Sequence, residues 1–146
     1  MITAAEASDE SAAFIEVTDL YVNATPPTIK STAAYMTLSN LTEEVITFIG
    51  VTSPAANRVE LHQTSITDGM MKMRPVSTLK IPAKGEVKLS PAGLHMMFKK
   101  LNRSLQPGEN VPIALFFSKE RKLTVHAQVR DIRGQKENKT LLHHHH

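Results

Sequence analysis

The feature that most limits what this chain can become is its rhythm. Short apolar runs, many rich in β-branched residues, recur along it and are broken by turn-forming residues. Residues 14–17 and 20–22 are strand-like and stop at the Asn23-Ala24-Thr25-Pro26-Pro27 breaker. Residues 33–38 alternate, with Ala34, Met36 and Leu38 on one face, which assigns Met36 to the core. Residues 45–51, 59–62, 78–81, 87–89 and 111–117 continue the series. In residues 123–129, Leu123, Val125, Ala127 and Val129 point one way, while Thr124, His126 and Gln128 point to the other, solvent-facing side. Spacing of this kind specifies an all-β sandwich or barrel. A chain of 146 residues suits one domain with a real core. The runs place that domain over residues 12–130, with flexible segments expected at 1–11 and 131–146.

One segment is ambiguous. In residues 94–105, Leu94, Met97, Phe98, Leu101 and Leu105 fall at helical spacing, so periodicity alone permits a helix of three turns. A helix would send residues two apart, such as His95 and Met97, to nearly opposite sides. A strand would give them one face.

Composition excludes several kinds of chemistry. The chain has no cysteine, hence no thiol nucleophile, disulfide, cysteine zinc site or Cys ligand for a blue-copper centre. The lack of thiols is compatible with an oxidising compartment. The opening residues have neither the basic nor the apolar region of a signal peptide, as expected of a mature N-terminus to which Met1 was added. No apolar run is long enough to span a membrane. The four terminal histidines, His143 to His146, look like a truncated purification tag and are set aside. Residues 1–60 hold eight acidic and two basic side chains, and residues 61–146 six acidic and fifteen basic ones. Without Trp, and with Phe98, Phe116 and Phe117 inside apolar runs, this basic half does not form a nucleic-acid surface. No Ser-His-Asp array, carboxylate pair or open zinc signature can be assembled, so an enzyme is not expected.

The unusual feature is a concentration of soft ligands. Five of the seven methionines (Met70, Met71, Met73, Met96 and Met97) lie between residues 70 and 97, beside His62 and His95. Taken singly, each reads as a packing methionine or a hydrogen-bonded histidine. Asp68-Gly69 changes the balance, because an Asp-Gly pair between extended segments marks a hairpin. Folding there brings Met73 across from His62 to within a residue or two of register. The His95-Met97 pair supplies a second imidazole and thioether. Thioether sulfur is soft and uncharged and imidazole is borderline, a combination that favours Cu(I) over zinc, calcium or magnesium. Met70, Met71 and Met96 are weaker candidates, as a surround or a transient landing place for the ion.

The spacing from His62 to Met73 to His95 to Met97, within flanks 59–62, 69–75 and 89–97, resembles the metal motif of the periplasmic copper chaperone family called PCuAC. The similarity runs from about residue 12 to about residue 130. It implies a cupredoxin-like Greek-key β-barrel or sandwich, with a strand through His95 and Met97. It further implies one Cu(I) ion held by His62, Met73, His95 and Met97, and a periplasmic location. The implied partners are the CuA site of cytochrome c oxidase subunit II as acceptor and another copper protein as donor, with the chain itself a monomer. Many members have Gly-Gly where this chain has Ala92-Gly93. The His- and Met-rich tail of some relatives is missing from residues 131–142. The competing class is a metal-free β-sandwich interaction module whose methionines only pack. Lys72, Arg74, Lys99, Lys100 and Arg103 flank the candidate ligands, either as ordinary solvated charges or as a rim that steers an acidic acceptor.

Overall fold

A computed structural model describes residues 12–91 and 93–131. The expectations for residues 1–11, for the tail beyond Asp131 and for the terminal histidines lie outside the described residues. The described chain is all β, in ten strands: β1 (Ile15–Asn23), β2 (Ser31–Asn40), β3 (Ile46–Thr52), β4 (Ala56–Thr67), β5 (Met70–Pro75), β6 (Leu79–Ile81), β7 (Glu86–Leu89), β8 (Leu94–Leu101), β9 (Asn110–Phe117) and β10 (Arg121–Arg130). The ambiguous segment is therefore extended from Leu94 to Leu101. Of the helically spaced residues on β8, Phe98 and Leu101 are buried and Leu94 and Met97 only partly so, while Met96, outside that spacing, is buried in strand alternation with Phe98.

Hydrogen bonding links nine strands in the order β5-β4-β8-β2-β1-β10-β9-β3-β6, and β7 adds to β2. Every pairing is antiparallel except β1 with β10. Strand β2 pairs with β1 along one edge and divides the other between two neighbours, β8 along Ser31–Ala34 and β7 along Met36–Ser39. That division lets the sheet turn over a single core. Leu61, Met96, Phe98, Met36 and Leu38 from one wing meet Phe48, Ile113, Leu115, Phe117 and Val125 from the other. Asn40, nearly fully buried, ties the end of β2 to β6 by donating its amide to the carbonyls of Ile81 and Glu44 at 3.0 and 2.7 Å.

The two runs at residues 14–17 and 20–22 belong to one strand. Its pairing with β2 slips between Thr18 and Tyr21, where Asp19 takes a left-handed φ of 54°. A β-bulge of this kind interrupts the alternation without ending the strand. Met36 is core, and His126 is exposed on β10.

Candidate metal centre

The centre is laid out by strand register. Asp68 and Gly69 both have positive φ, 55° and 76°, as a two-residue hairpin turn with the twist of the flanking strands requires. The turn pairs Thr67 with Met70, and counting back along the hairpin sets Met73 opposite Thr64 and Pro75 opposite His62. Residues directly opposite share a face, as do residues two apart on one strand. Met73 therefore lies on the same face as His62, one side-chain step along. On its other edge β4 pairs with β8, where His62 is directly opposite His95 and Glu60 is opposite Met97. All four candidate ligands thus occupy one face of three adjacent strands. Leu61 and Met96, opposite each other, point into the core on the other face.

The imidazole rings of His62 and His95 are 6.1 Å apart between centroids and tilted by 56°. With metal–imidazole bonds of about 2 Å, an ion sits roughly 3 Å from each centroid, so rings at this separation can share one ion. Both histidines are buried, Met97 is partly buried, and Met73 is 54% exposed on the outermost strand.

Hydrogen bonds decide which ring nitrogens are available. His62 Nε2 is 2.8 Å from Glu60 Oε1, and a carboxylate can only accept, so Nε2 carries the proton. The other nitrogen, Nδ1, is buried and has no hydrogen-bond partner among the described residues. At His95 the roles are reversed. Nδ1 donates to the Gly93 carbonyl at 3.2 Å, which leaves the Nε2 lone pair free. Each ring therefore offers one basic nitrogen, and a buried orphan such as His62 Nδ1 is the kind of atom a metal ion satisfies. Among the described residues no group of three or more His, Cys, Asp or Glu side chains could hold a metal. A metal here would therefore need the thioethers.

Glu60 also receives Lys99 Nζ at 3.2 Å and Arg58 at 3.4 Å. The hydrogen bond from His62 and then that from Lys99 hold its carboxyl below the usual carboxylate range. Glu60 is not among the residues that ligand chemistry singles out in the sequence. The signal was present in Val59-Glu60-Leu61-His62, whose alternation puts Glu60 and His62 on one strand face.

The remaining candidates divide by face. Met96 is wholly buried in the core, on the side away from His95. Met71, opposite Ile66, shares the face of Met73, whereas Met70 lies on the reverse; all three are exposed. Lys72 and Arg74 also lie on the reverse of β5. Lys99 is engaged by Glu60 and Arg103 by Glu109. Of the five flanking basic residues only Lys100 is exposed with neither an ion-pair partner among the described residues nor a place on the reverse of β5. A continuous basic rim around the ligands is therefore not what these side chains form.

Residues 15–129 match the family model described as "Putative lipoprotein LpqE-like". The chain belongs to the LpqE-like family. A curated member-like relative, "Putative lipoprotein Lxx21020" of Leifsonia xyli subsp. xyli (strain CTCB07), is 32% identical over 108 residues, 73% of this chain. The LpqE-like chain spans 65% of that relative's length. Among solved structures, the Cu(I) form of DR1885 from Deinococcus radiodurans is 36% identical, with a TM-score of 0.65 over 89% of this chain and 85% of that one. The copper-bound PCuAC domain of PmoF2 is 20% identical, with a TM-score of 0.70 over 84% of this chain and 97% of that one, and it shares the fold. The resemblance to PCuAC drawn from the sequence holds, and the architecture is cupredoxin-like.

Proposed function

We propose that this LpqE-like chain is an extracytoplasmic copper chaperone that carries one Cu(I) ion on His62, Met73, His95 and Met97. The observation that carries the reading is the cross-strand pair of His62 and His95, each with one free basic nitrogen, with a methionine to either side on the same face. Two neutral imidazoles and two thioethers suit a soft monovalent ion and need no deprotonation of a thiol. A solved relative, DR1885, has a Cu(I) form, and the family and its curated relative carry lipoprotein names, which supports a place in the cell envelope, the periplasm where one exists. No helix among the described residues is long and apolar enough to cross a membrane.

The arrangement explains how cargo could be both kept and released. The buried imidazoles hold the ion from within, and Met73, exposed on the last strand of the sheet, is the ligand that an incoming acceptor ligand can replace. Copper would leave by ligand exchange to a copper-accepting protein, the CuA site of cytochrome c oxidase subunit II, after loading from another copper protein. The test is a Cu(I) titration of protein whose four terminal histidines are exchanged for Ser, followed by mixing with a soluble CuA domain. The expected result is one Cu(I) per chain, weak Zn(II) binding, and copper appearing on the acceptor. Absence of Cu(I) binding would leave the metal-free interaction module as the better reading.

A further inference from the structure

We infer that Glu60 is a positioning residue for the copper site: by accepting the Nε2 proton of His62 it directs that ring to bind through Nδ1, while His95 binds through Nε2. The inference rests on the copper reading above and goes beyond it, because it assigns the donor atom of each ring and a role to a residue outside the ligand set.

Three observations carry it. The hydrogen bond between His62 Nε2 and Glu60 Oε1 is 2.8 Å, and an acceptor-only partner fixes the proton on that nitrogen. His62 Nδ1 is buried and has no partner among the described residues, so protonating it instead would bury a donor that none of them receives. Glu60 is itself held: Lys99 Nζ lies 3.2 Å from the same oxygen, and Arg58 lies 3.4 Å from the other. These two cations keep the carboxylate over the β4–β8 pair, where it faces Met97 across the strands. Lys99 thereby acts through Glu60 on the imidazole. A metal-bound histidine whose second nitrogen donates to a carboxylate is a better electron donor and has a fixed ring plane. At His95 the Gly93 carbonyl fixes the opposite nitrogen, so the two rings present unlike atoms to the same ion.

Long-range proton–nitrogen correlation spectra read the tautomer of each ring directly. The sample is the full chain with His143 to His146 exchanged for Ser, first metal-free and then with one equivalent of Cu(I), which is diamagnetic. The metal-free protein should show His62 protonated at Nε2 and His95 at Nδ1. Copper should then shift His62 Nδ1 and His95 Nε2. Glu60→Ala should mix the His62 tautomers, leave His95 unchanged and lower Cu(I) affinity by about tenfold. Glu60→Gln keeps a carbonyl acceptor and should restore both the single tautomer and most of the affinity. A copper-induced shift at His62 Nε2, or a single Nε2-protonated tautomer persisting in Glu60→Ala, would overturn the assignment. The wild-type spectra decide the donor atoms even if Glu60→Ala does not fold. If Cu(I) shifts neither ring, the copper reading itself fails and the donor assignment with it, whereas a shift at the wrong nitrogen defeats only the role of Glu60.

Discussion

The two methionines should contribute unequally to copper binding, and burial sets the order. Met73 is 54% exposed on β5, whose six residues are all exposed, so its side chain keeps its rotamer freedom until an ion captures it. Ordering a free methionine side chain costs up to about 2 kcal/mol. Met97 is partly buried on β8, between Glu60 on β4 and Ala33 on β2, and has lost part of that freedom on folding. If the two copper–sulfur bonds are alike, Met97 contributes more by about 1 kcal/mol, a factor of roughly five in affinity. The perturbations are Met73→Leu, Met97→Leu and the double variant, all near-isosteric. Stability should change by less than about 0.5 kcal/mol at the exposed site and less than about 1.5 kcal/mol at the other. Anaerobic competition with a chromogenic Cu(I) chelator reads the affinities, and thermal unfolding of the metal-free proteins checks the fold. The expected order is wild type, Met73→Leu, Met97→Leu, double variant, from tightest to weakest. An unchanged affinity in the double variant would refute thioether ligation, and a larger loss at Met73 than at Met97 would refute the entropy argument.

Two further outcomes follow from local geometry. Gly69 has a φ of +76° and open space where a Cβ would stand, so Gly69→Val pays only for the left-handed backbone, about 1–2 kcal/mol. Hydrogen exchange should quicken at β5 amides and not at β9 or β10; protection of β5 equal to wild type would contradict the turn assignment. Glu109 accepts the Gln106 backbone N–H at 2.9 Å and pairs with Arg103, and these hold its carboxyl below the ordinary value of 4.5. A carboxyl with a lowered folded value stabilises the fold above about pH 4.5 and loses that contribution as the pH falls through the folded value. Glu109→Gln should therefore flatten the acid limb of thermal stability below that pH, and superimposable limbs would count against the pairing.

The sequence by itself determined the fold class, most of the strand runs and the hairpin turn. Period-two alternation separates core from solvent in residues 123–129, and Asp68-Gly69 supplies two residues suited to positive φ. Both are local properties, written in residues close along the chain. It determined the identities of the candidate ligands for a related reason, since imidazole and thioether chemistry does not depend on neighbours. Periodicity alone could not decide the state of residues 94–105; the family resemblance implied a strand at His95 and Met97, and pairing with β2 and β4 is what holds Leu94–Leu101 extended. Register between distant segments was also beyond the sequence. That His62 stands opposite His95 depends on hydrogen bonds between segments more than thirty residues apart, whereas the Asp68-Gly69 turn already set Met73 within two residues of the position opposite His62. The charges show the same limit. Lys99 and Arg103 read in sequence either as solvated charges or as part of a basic rim, yet β4 brings Glu60 to one and Glu109 reaches the other, because electrostatic partners are chosen in space. The proton on His62 was the last thing left to tertiary structure: an imidazole has two nitrogens of similar basicity, and only the carboxylate folded against one of them makes the choice.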